Sequence, residues 1–327
     1  MKKLLILTAV LVCVGMVGLF ADTTVGGEMS YFTDFETGTW FKAELNITAE
    51  IDEYNTVKLE LDSEGADTFG NVAVDDFRLE SDITGALMLD LPITINGTFG
   101  YFDTYFVGWM YASESGWEYY YPWPNVVVSQ GPTTTGAMQL DIGIDPITIH
   151  WWNDWAFDNM MVGVDGAAGP IDFWASLGAA TDAIGDGAIH VNVKYGLDAG
   201  GISLGIPVWF GMNMGADTMT YGLGVTGDID MISFGVGVEG DDADALDNVV
   251  IDVKATPIDN LTAKVNAYMD LSADDAFTGV NISAEYGLGA MTLAAGYAVV
   301  TDEAGTIPVY GDSYGANGIW LGIDIDY

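Results

Sequence analysis

Two histidines are the obvious candidates for acid–base chemistry near neutral pH, and they lie far apart in the chain. His150 and His190 are separated by forty residues. A Ser-His-Asp arrangement also needs a positioned nucleophile and an orienting acid, and the surroundings of these histidines indicate neither. The sequence therefore predicts that the protein is not an enzyme and that it uses no cofactor.

Carboxylates are the abundant chemical groups, with 48 Asp and Glu against 8 Lys and Arg and a formal net charge of −40. The acidic run Asp241–Asp247 could collect Ca²⁺, because hard cations prefer carboxylate oxygens. The run lacks the spaced glycine and terminal glutamate of an EF-hand, so we interpret it as a solvated acidic loop and predict no metal site. Nucleic-acid binding is excluded, because it needs clustered Lys and Arg to neutralise phosphates.

The N-terminus has the pattern of a secretory signal peptide. Lys2 and Lys3 precede the uncharged apolar stretch Leu4–Phe20, and Ala21 is a small residue at the cleavage point. Residues 1–21 are therefore predicted to be removed, the alternative being a retained membrane anchor. Removal also takes away Cys13, the single cysteine, so that no disulfide or thiolate metal site is expected in the mature protein.

The rest of the chain alternates apolar with polar or small residues, which predicts β-strands. Between residues 41 and 52, for example, Phe41, Leu45 and Ile47 alternate with Lys42 and Glu44. A direct parse gives eighteen such strands, with one long strand at 73–91, and a count of sixteen is also compatible with the pattern. Half the residues are hydrophobic and mean hydropathy is +0.27, which excludes a disordered chain.

Short connections on one edge and longer acidic segments on the other link the predicted strands. The short ones repeat a Pro-Ile pattern, in the segments 90–94, 144–148, 168–172 and 255–259. This asymmetry is typical of transmembrane barrels with short periplasmic turns and long extracellular loops. We therefore predict an all-β fold, a transmembrane antiparallel up-and-down barrel of 16–18 strands, formed by residues 22–327 with long acidic loops.

The C-terminus carries a further signal, because Ile319, Leu321, Ile323, Ile325 and Tyr327 alternate up to a final aromatic residue. This resembles the C-terminal signature of Gram-negative outer-membrane proteins. Together with the other patterns, it makes the mature chain similar to outer-membrane porins, with no particular porin family indicated. The resemblance implies location in the cell outer membrane, contact with outer-membrane lipid, recognition of Ile323, Ile325 and Tyr327 by the barrel-assembly machinery, and a homotrimer as in many porins.

Charged residues fall on the face opposite the apolar stripe, among them all six basic residues after position 21. A barrel of sixteen or more strands is too wide for its side chains to fill, so these residues are expected to line a water-filled pore. A soluble β-sandwich is the alternative that also produces alternation. His150 lies on the same face. The pore-lining candidates are Lys42, Glu44, Glu60, Asp76, Arg78, Glu80, Asp82, His190, Lys194 and Lys264.

One long segment, 103–135, is rich in aromatic residues. In the porins that the chain resembles, one long loop folds into the barrel and narrows it. The resemblance therefore implies a constriction here, with the candidates Trp109, Glu114, Trp117, Glu118, Tyr119 and Tyr120. The alternative is an aromatic belt at the membrane interface with a folded outer loop. The separate group Trp151, Trp152 and Trp155 is expected to belong to such a belt.

These expectations leave three functions open. The first is passive diffusion of small hydrophilic solutes and cations, because an acidic lumen concentrates cations and repels anions. The second is a sugar-selective channel, in which the aromatic rings of the 103–135 segment would stack on sugars. The third is a non-conducting surface barrel that acts as an adhesin or a structural protein.

Overall fold

The computed structural model describes residues 22–34, 38–66, 72–89, 91–102, 104–105, 129–130, 137–180, 187–198, 200–215, 217–242, 246, 248–271, 277–300, 307–310 and 314–327. The predicted signal peptide, residues 1–21, lies outside these ranges. So does most of the predicted aromatic-rich loop.

Within the described ranges, eighteen antiparallel strands form one sheet. Each strand pairs with the next along the chain, and the first also pairs with the last, which closes the barrel. The predicted up-and-down barrel is therefore confirmed, with the larger of the two strand counts. The strands are β1 Asp22–Asp34, β2 Gly38–Asp52, β3 Asn55–Ala66, β4 Ala73–Asp82, β5 Thr94–Tyr101, β6 Ala137–Ile144, β7 Ile147–Asp154, β8 Asn159–Ala168, β9 Ile171–Ala180, β10 Ala188–Asp198, β11 Ile202–Asn213, β12 Thr218–Ile229, β13 Ile232–Asp241, β14 Asn248–Ile258, β15 Leu261–Asp270, β16 Phe277–Leu288, β17 Met291–Val300 and β18 Gly318–Asp326.

Two short pairings lie in the connections between barrel strands. Thr104–Tyr105 pairs with Ser129–Gln130 between β5 and β6, and Ile307–Tyr310 pairs with Tyr314–Ala316 between β17 and β18. In the part of the chain that the structure describes, no helix is both long enough and apolar enough to cross a membrane.

The predicted strand 73–91 is wrong over its last nine residues, because β4 ends at Asp82. The Asp82 carboxylate accepts a hydrogen bond from the Gly85 amide at 2.9 Å and caps a short helix, α1, at Ile83–Ala86. Such local side-chain bonds compete with a strand ladder. The amide of Ile95, in β5, then donates to the Thr84 hydroxyl at 2.6 Å. The leucines that continued the alternation lie exposed beyond the helix.

The exterior of the barrel is an apolar surface. The residues that alternate with the charged positions are large hydrophobic side chains, and many of them are exposed. An exposed apolar surface of this extent is costly in water and is typical of contact with other apolar material. Examples, one from each of ten strands, are Ile149, Val162, Val193, Val208, Leu223, Val236, Val265, Ile282, Leu293 and Leu321.

Large aromatic side chains on the interior lie flat against the wall, where glycines of the next strand leave room for them. Trp209 of β11 covers Gly222 of β12, and Trp320 of β18 covers Gly296 of β17; a Cβ on either glycine would overlap the indole ring. The Trp320 indole also donates to Asn281 Oδ1 at 3.0 Å. These contacts hold each indole ring against the interior face of the barrel wall.

The contact between Trp320 and Asn281 leads to a testable prediction. Asn281→Leu would leave a fully buried indole N–H without its acceptor, and an unsatisfied buried donor costs about 1–3 kcal/mol. We expect this loss in the free energy of unfolding, measured by urea titration of the refolded barrel. Trp320→Phe together with Asn281→Leu removes both polar groups and should recover part of the loss. Equal stability of Asn281→Leu and wild type would contradict the role assigned to this bond.

Candidate pore lining

The ten predicted pore-lining residues all occupy interior positions in the strand alternation. Seven of them lie on three consecutive strands, β2, β3 and β4, whereas His190 and Lys194 lie on β10 and Lys264 lies on β15. The structure therefore brings most of the candidates into one charged patch and places the others on separate parts of the wall.

Arg78 is the centre of the charged patch on β2–β4. Its guanidinium pairs with Asp76, and its Nε donates to Glu80 Oε1 at 2.8 Å. Lys58, which faces Arg78 across the strand pair, reaches the same Glu80 oxygen at 2.9 Å. The two strands are therefore joined by a continuous row of ion pairs on the interior face.

The basic groups form a belt around the interior near one edge of the barrel. Each lies three or four residues from the end of its strand on the side of the tight turns. Strands that start at the tight-turn edge carry the basic residue three positions from that end: Lys58 from Asn55, His150 from Ile147 and Lys264 from Leu261. Strands that finish at that edge carry it four positions from the end: Arg78 from Asp82, Lys194 from Asp198 and Lys254 from Ile258. Lys42, which pairs with Glu44 at 3.1 Å, lies further from that edge.

Acidic side chains outnumber the basic ones on the described interior positions. Lys264, for example, is paired with Glu285 at 2.7 Å, and Asn266 donates to the buried Asp252 at 2.9 Å. The basic residues are Lys42, Lys58, Arg78, Lys194, Lys254 and Lys264, whereas the acids include Glu28, Glu44, Glu50, Glu60, Asp62, Asp76, Glu80, Asp141, Asp165, Asp172, Asp228, Glu239, Asp252, Glu285 and Asp324. The interior wall therefore carries net negative charge.

The two histidines occupy different environments on the interior wall. His150 lies on β7 between Asp141 of β6 and Asp165 of β8, and both of its ring nitrogens contact a carboxylate. His190 on β10 is only 2% exposed and lies beside Gly211 of β11. The sequence analysis did not single out Asp141 and Asp165, although both alternate with apolar neighbours and so share the parity of a lining residue.

A catalytic serine of the elbow type needs both a characteristic sequence and a characteristic backbone turn. Two Gly-x-Ser-x-Gly runs occur, at 201–205 and 311–315. Ser203 lies inside strand β11 rather than on the strand-to-helix turn that such an elbow requires, and Ser313 lies outside the described residues. Within the part of the chain that the structure describes, no group of three or more His, Cys, Asp and Glu side chains could hold a metal ion.

Burial differs between the two ends of the interior. Side chains towards the long connections, such as Trp152, Trp209 and Trp320, are almost fully buried. Side chains near the tight turns, such as Asp172 and Lys194, are exposed. The interior is therefore most accessible at the edge that carries the belt of basic groups.

Three tryptophans were expected in an aromatic belt at the membrane interface, and the prediction is wrong for Trp152. Its strand parity is that of His150, so it points to the interior, where it packs with Phe102, Ala137 and Met161 at 1% exposure. Trp155 is exposed at the end of the β7–β8 hairpin. The constriction candidates Trp109, Glu114, Trp117, Glu118, Tyr119 and Tyr120 lie outside the described residues, so their position stays a prediction.

The C-terminal residue closes the seam between the first and last strands. The backbone of Tyr327 exchanges two hydrogen bonds of 3.0 Å with Gly27 of β1. Its phenol hydroxyl then reaches past β1 and donates to the carbonyl of Glu44 in β2 at 2.9 Å. Ile323 and Ile325 alternate with the interior residues of β18 and face the exterior. The final aromatic residue thus links three strands.

No protein-family model matches the chain, and no curated protein matches it. Solved structures do match. A mutant of the Rh. blastica porin is similar with a TM-score of 0.54 and 14% identity, over 94% of this chain and 100% of that one. Pseudomonas aeruginosa OccK11 (OpdR) is similar at 0.59 and 10%, and P. aeruginosa OprD at 0.57 and 9%, each over 94% of this chain and 95% of the other. The fold is therefore that of a porin barrel.

Proposed function

We propose that this protein is an outer-membrane porin through which small hydrophilic solutes diffuse passively, with a preference for cations. The observation that carries this proposal is the division of the closed eighteen-strand wall into an apolar exterior and a charged, net acidic interior. A barrel of this strand number has more interior space than its wall side chains fill.

The exterior suits a lipid environment on physical grounds. Hydrocarbon offers no hydrogen bonds, so each backbone N–H and C=O that faces it must be paired within the protein, and a closed barrel does this. Because the strand count is even, β1 begins and β18 ends at the tight-turn edge. Export through the predicted signal peptide would therefore leave this edge in the periplasm.

The same proposal covers the expected partners. The exterior would contact outer-membrane lipid, and the barrel-assembly machinery would recognise Ile323, Ile325 and Tyr327. Three copies would associate, as the resemblance to porins implies.

Reconstitution in planar bilayers tests the proposal directly. We expect ohmic single-channel conductance and, in a KCl gradient, a reversal potential on the cation-selective side, because the excess of interior carboxylates concentrates K⁺. Liposome swelling with sugars of graded size should fall smoothly with size. Faster swelling with one sugar than its size predicts would favour the sugar-selective alternative. A barrel that is folded but does not conduct would overturn the proposal.

A further inference from the structure

The interior contact between His150 and two aspartates joins three neighbouring strands of the barrel. Three consecutive strands each contribute one side chain. Asp141 Oδ1 lies 2.7 Å from His150 Nδ1, and Asp165 Oδ1 contacts His150 Nε2. Gln139 donates to both oxygens of Asp141 at 2.9 and 3.1 Å, which holds that carboxylate in place.

The two contacts together indicate the charge of the imidazole. An ionised carboxylate can only accept hydrogen bonds, so each ring nitrogen must carry a proton for both bonds to form. An imidazole with two N–H groups is a cation. The group of three then carries one negative charge in total, and it would carry two if the proton left the ring.

Groups on three neighbouring strands surround the His150 ring. Asp141 and Gln139 face it from β6, Asp165 faces it from β8, and the Trp174 indole of β9 lies with its centroid 5.1 Å from that of the imidazole. The Asp165 side chain is 39% exposed. The negative charge is therefore accessible from the interior space, near the tight-turn edge.

Histidine is the residue type of this chain whose ordinary pKa lies closest to neutral. Histidine is the side chain that ordinarily titrates between about pH 5 and 8, apart from perturbed cysteines and the terminal amine. Residues 22–327 contain two histidines and no cysteine. The two histidines are therefore the first groups to test for a change in selectivity across that range.

We propose that Asp141, His150 and Asp165 form a proton-controlled selectivity site for monovalent inorganic cations at the tight-turn mouth of the pore. The proton on His150 cancels one of the two carboxylate charges, and its release makes the mouth more attractive to cations. The inference rests on the proposed porin function, and it names residues that set the selectivity of that pore.

The test compares reversal potentials of wild type, His150→Gln and His190→Gln in a KCl gradient at pH 5 and pH 8. We expect the wild-type permeability ratio of K⁺ to Cl⁻ to rise about twofold with pH, as for one unit charge several ångströms from the ion path in water. His150→Gln keeps a neutral hydrogen-bonding side chain and should show the high ratio at both pH values. His190→Gln should keep the wild-type rise.

The outcomes separate the inference from the porin function. A rise with pH that persists in His150→Gln, or a wild type with no rise, overturns the site and leaves the porin function standing. A wild type that does not conduct overturns both. If His150→Gln does not form a barrel, Asp165→Asn decides, because it should lower the ratio about twofold at pH 8 by removal of one negative charge; an unchanged ratio overturns the site.

Discussion

Gly27→Ala is expected to weaken the closure of the barrel. A Cβ at this position would overlap the backbone carbonyl oxygen of Glu44 and the phenol end of Tyr327. The tyrosine could rotate away, but the carbonyl belongs to the hydrogen-bonded wall and cannot. Overpacking against rigid surroundings costs about 1–3 kcal/mol, sometimes more. We expect the upper end because the clash with Glu44 lies where β1 pairs with β2, directly beside the seam between β1 and β18. Urea unfolding and the gel mobility of unheated samples measure the loss.

Gly287→Ala is the matched control for the seam. Gly287 is also a strand glycine near the tight-turn edge, but a Cβ there would have its nearest neighbour at 3.7 Å, an ordinary contact. Tyr327→Phe keeps the ring over Gly27 and removes only the hydrogen bond to Glu44, which is worth about 1 kcal/mol. If Gly27→Ala unfolds at the same urea concentration as Gly287→Ala, the seam does not depend on this close approach.

Arg78→Gln is expected to lower stability and raise cation preference at the same time. Arg78 is the only arginine of the chain, and it joins Asp76 to Glu80. Asp76 is 7% exposed, so the loss of its cation leaves a carboxylate that water reaches poorly. Breaking a buried pair costs about 3–5 kcal/mol, and the partial exposure of the other two side chains reduces our expectation to about 2 kcal/mol. Urea unfolding and KCl reversal potentials provide the two measurements.

Lys194→Gln separates the two effects. It removes the same charge from the same belt, but Lys194 is exposed, and the ion pairs formed within the described residues do not include it. We therefore expect a similar increase in cation preference with a change in stability within about 0.5 kcal/mol. Equal stability of the two variants would show that the row of ion pairs on β3 and β4 contributes little.

Much of the strand pattern of the barrel wall could be predicted from local sequence. Alternation with period two is a property of each strand by itself, and it placed charged residues such as Lys42, Arg78 and Lys264 on one face. The strand parse failed at 83–91, where Leu87 and Leu89 continue the alternation although Asp82 has already capped a helix. The capping bond joins residues three apart and competes with the strand, and alternation does not register that competition.

Trp152 shows a different kind of error. Three tryptophans close together suggested one belt, but Trp151 and Trp152 are adjacent in a strand and must point to opposite faces. The parity of His150 on the same strand already indicated that Trp152 faces inward. The number of tryptophans suggested a belt at the membrane interface, whereas the alternation of side chains along β7 places Trp152 on the interior face of the barrel.

The identity and parity of neighbouring residues predicted β-strands with one apolar and one charged face. Closure of these strands into a barrel, rather than packing as a sandwich, is shown by the pairing of the first strand with the last. The three-dimensional structure was needed to show which groups meet. On the interior, Asp141 and Asp165 lie on either side of His150 and Arg78 lies beside Lys58. At the seam on the exterior, Tyr327 crosses Gly27. These contacts depend on the register between strands and on the closure of the last strand onto the first. Register is the joint result of all the pairings around the barrel, and no single segment contains it.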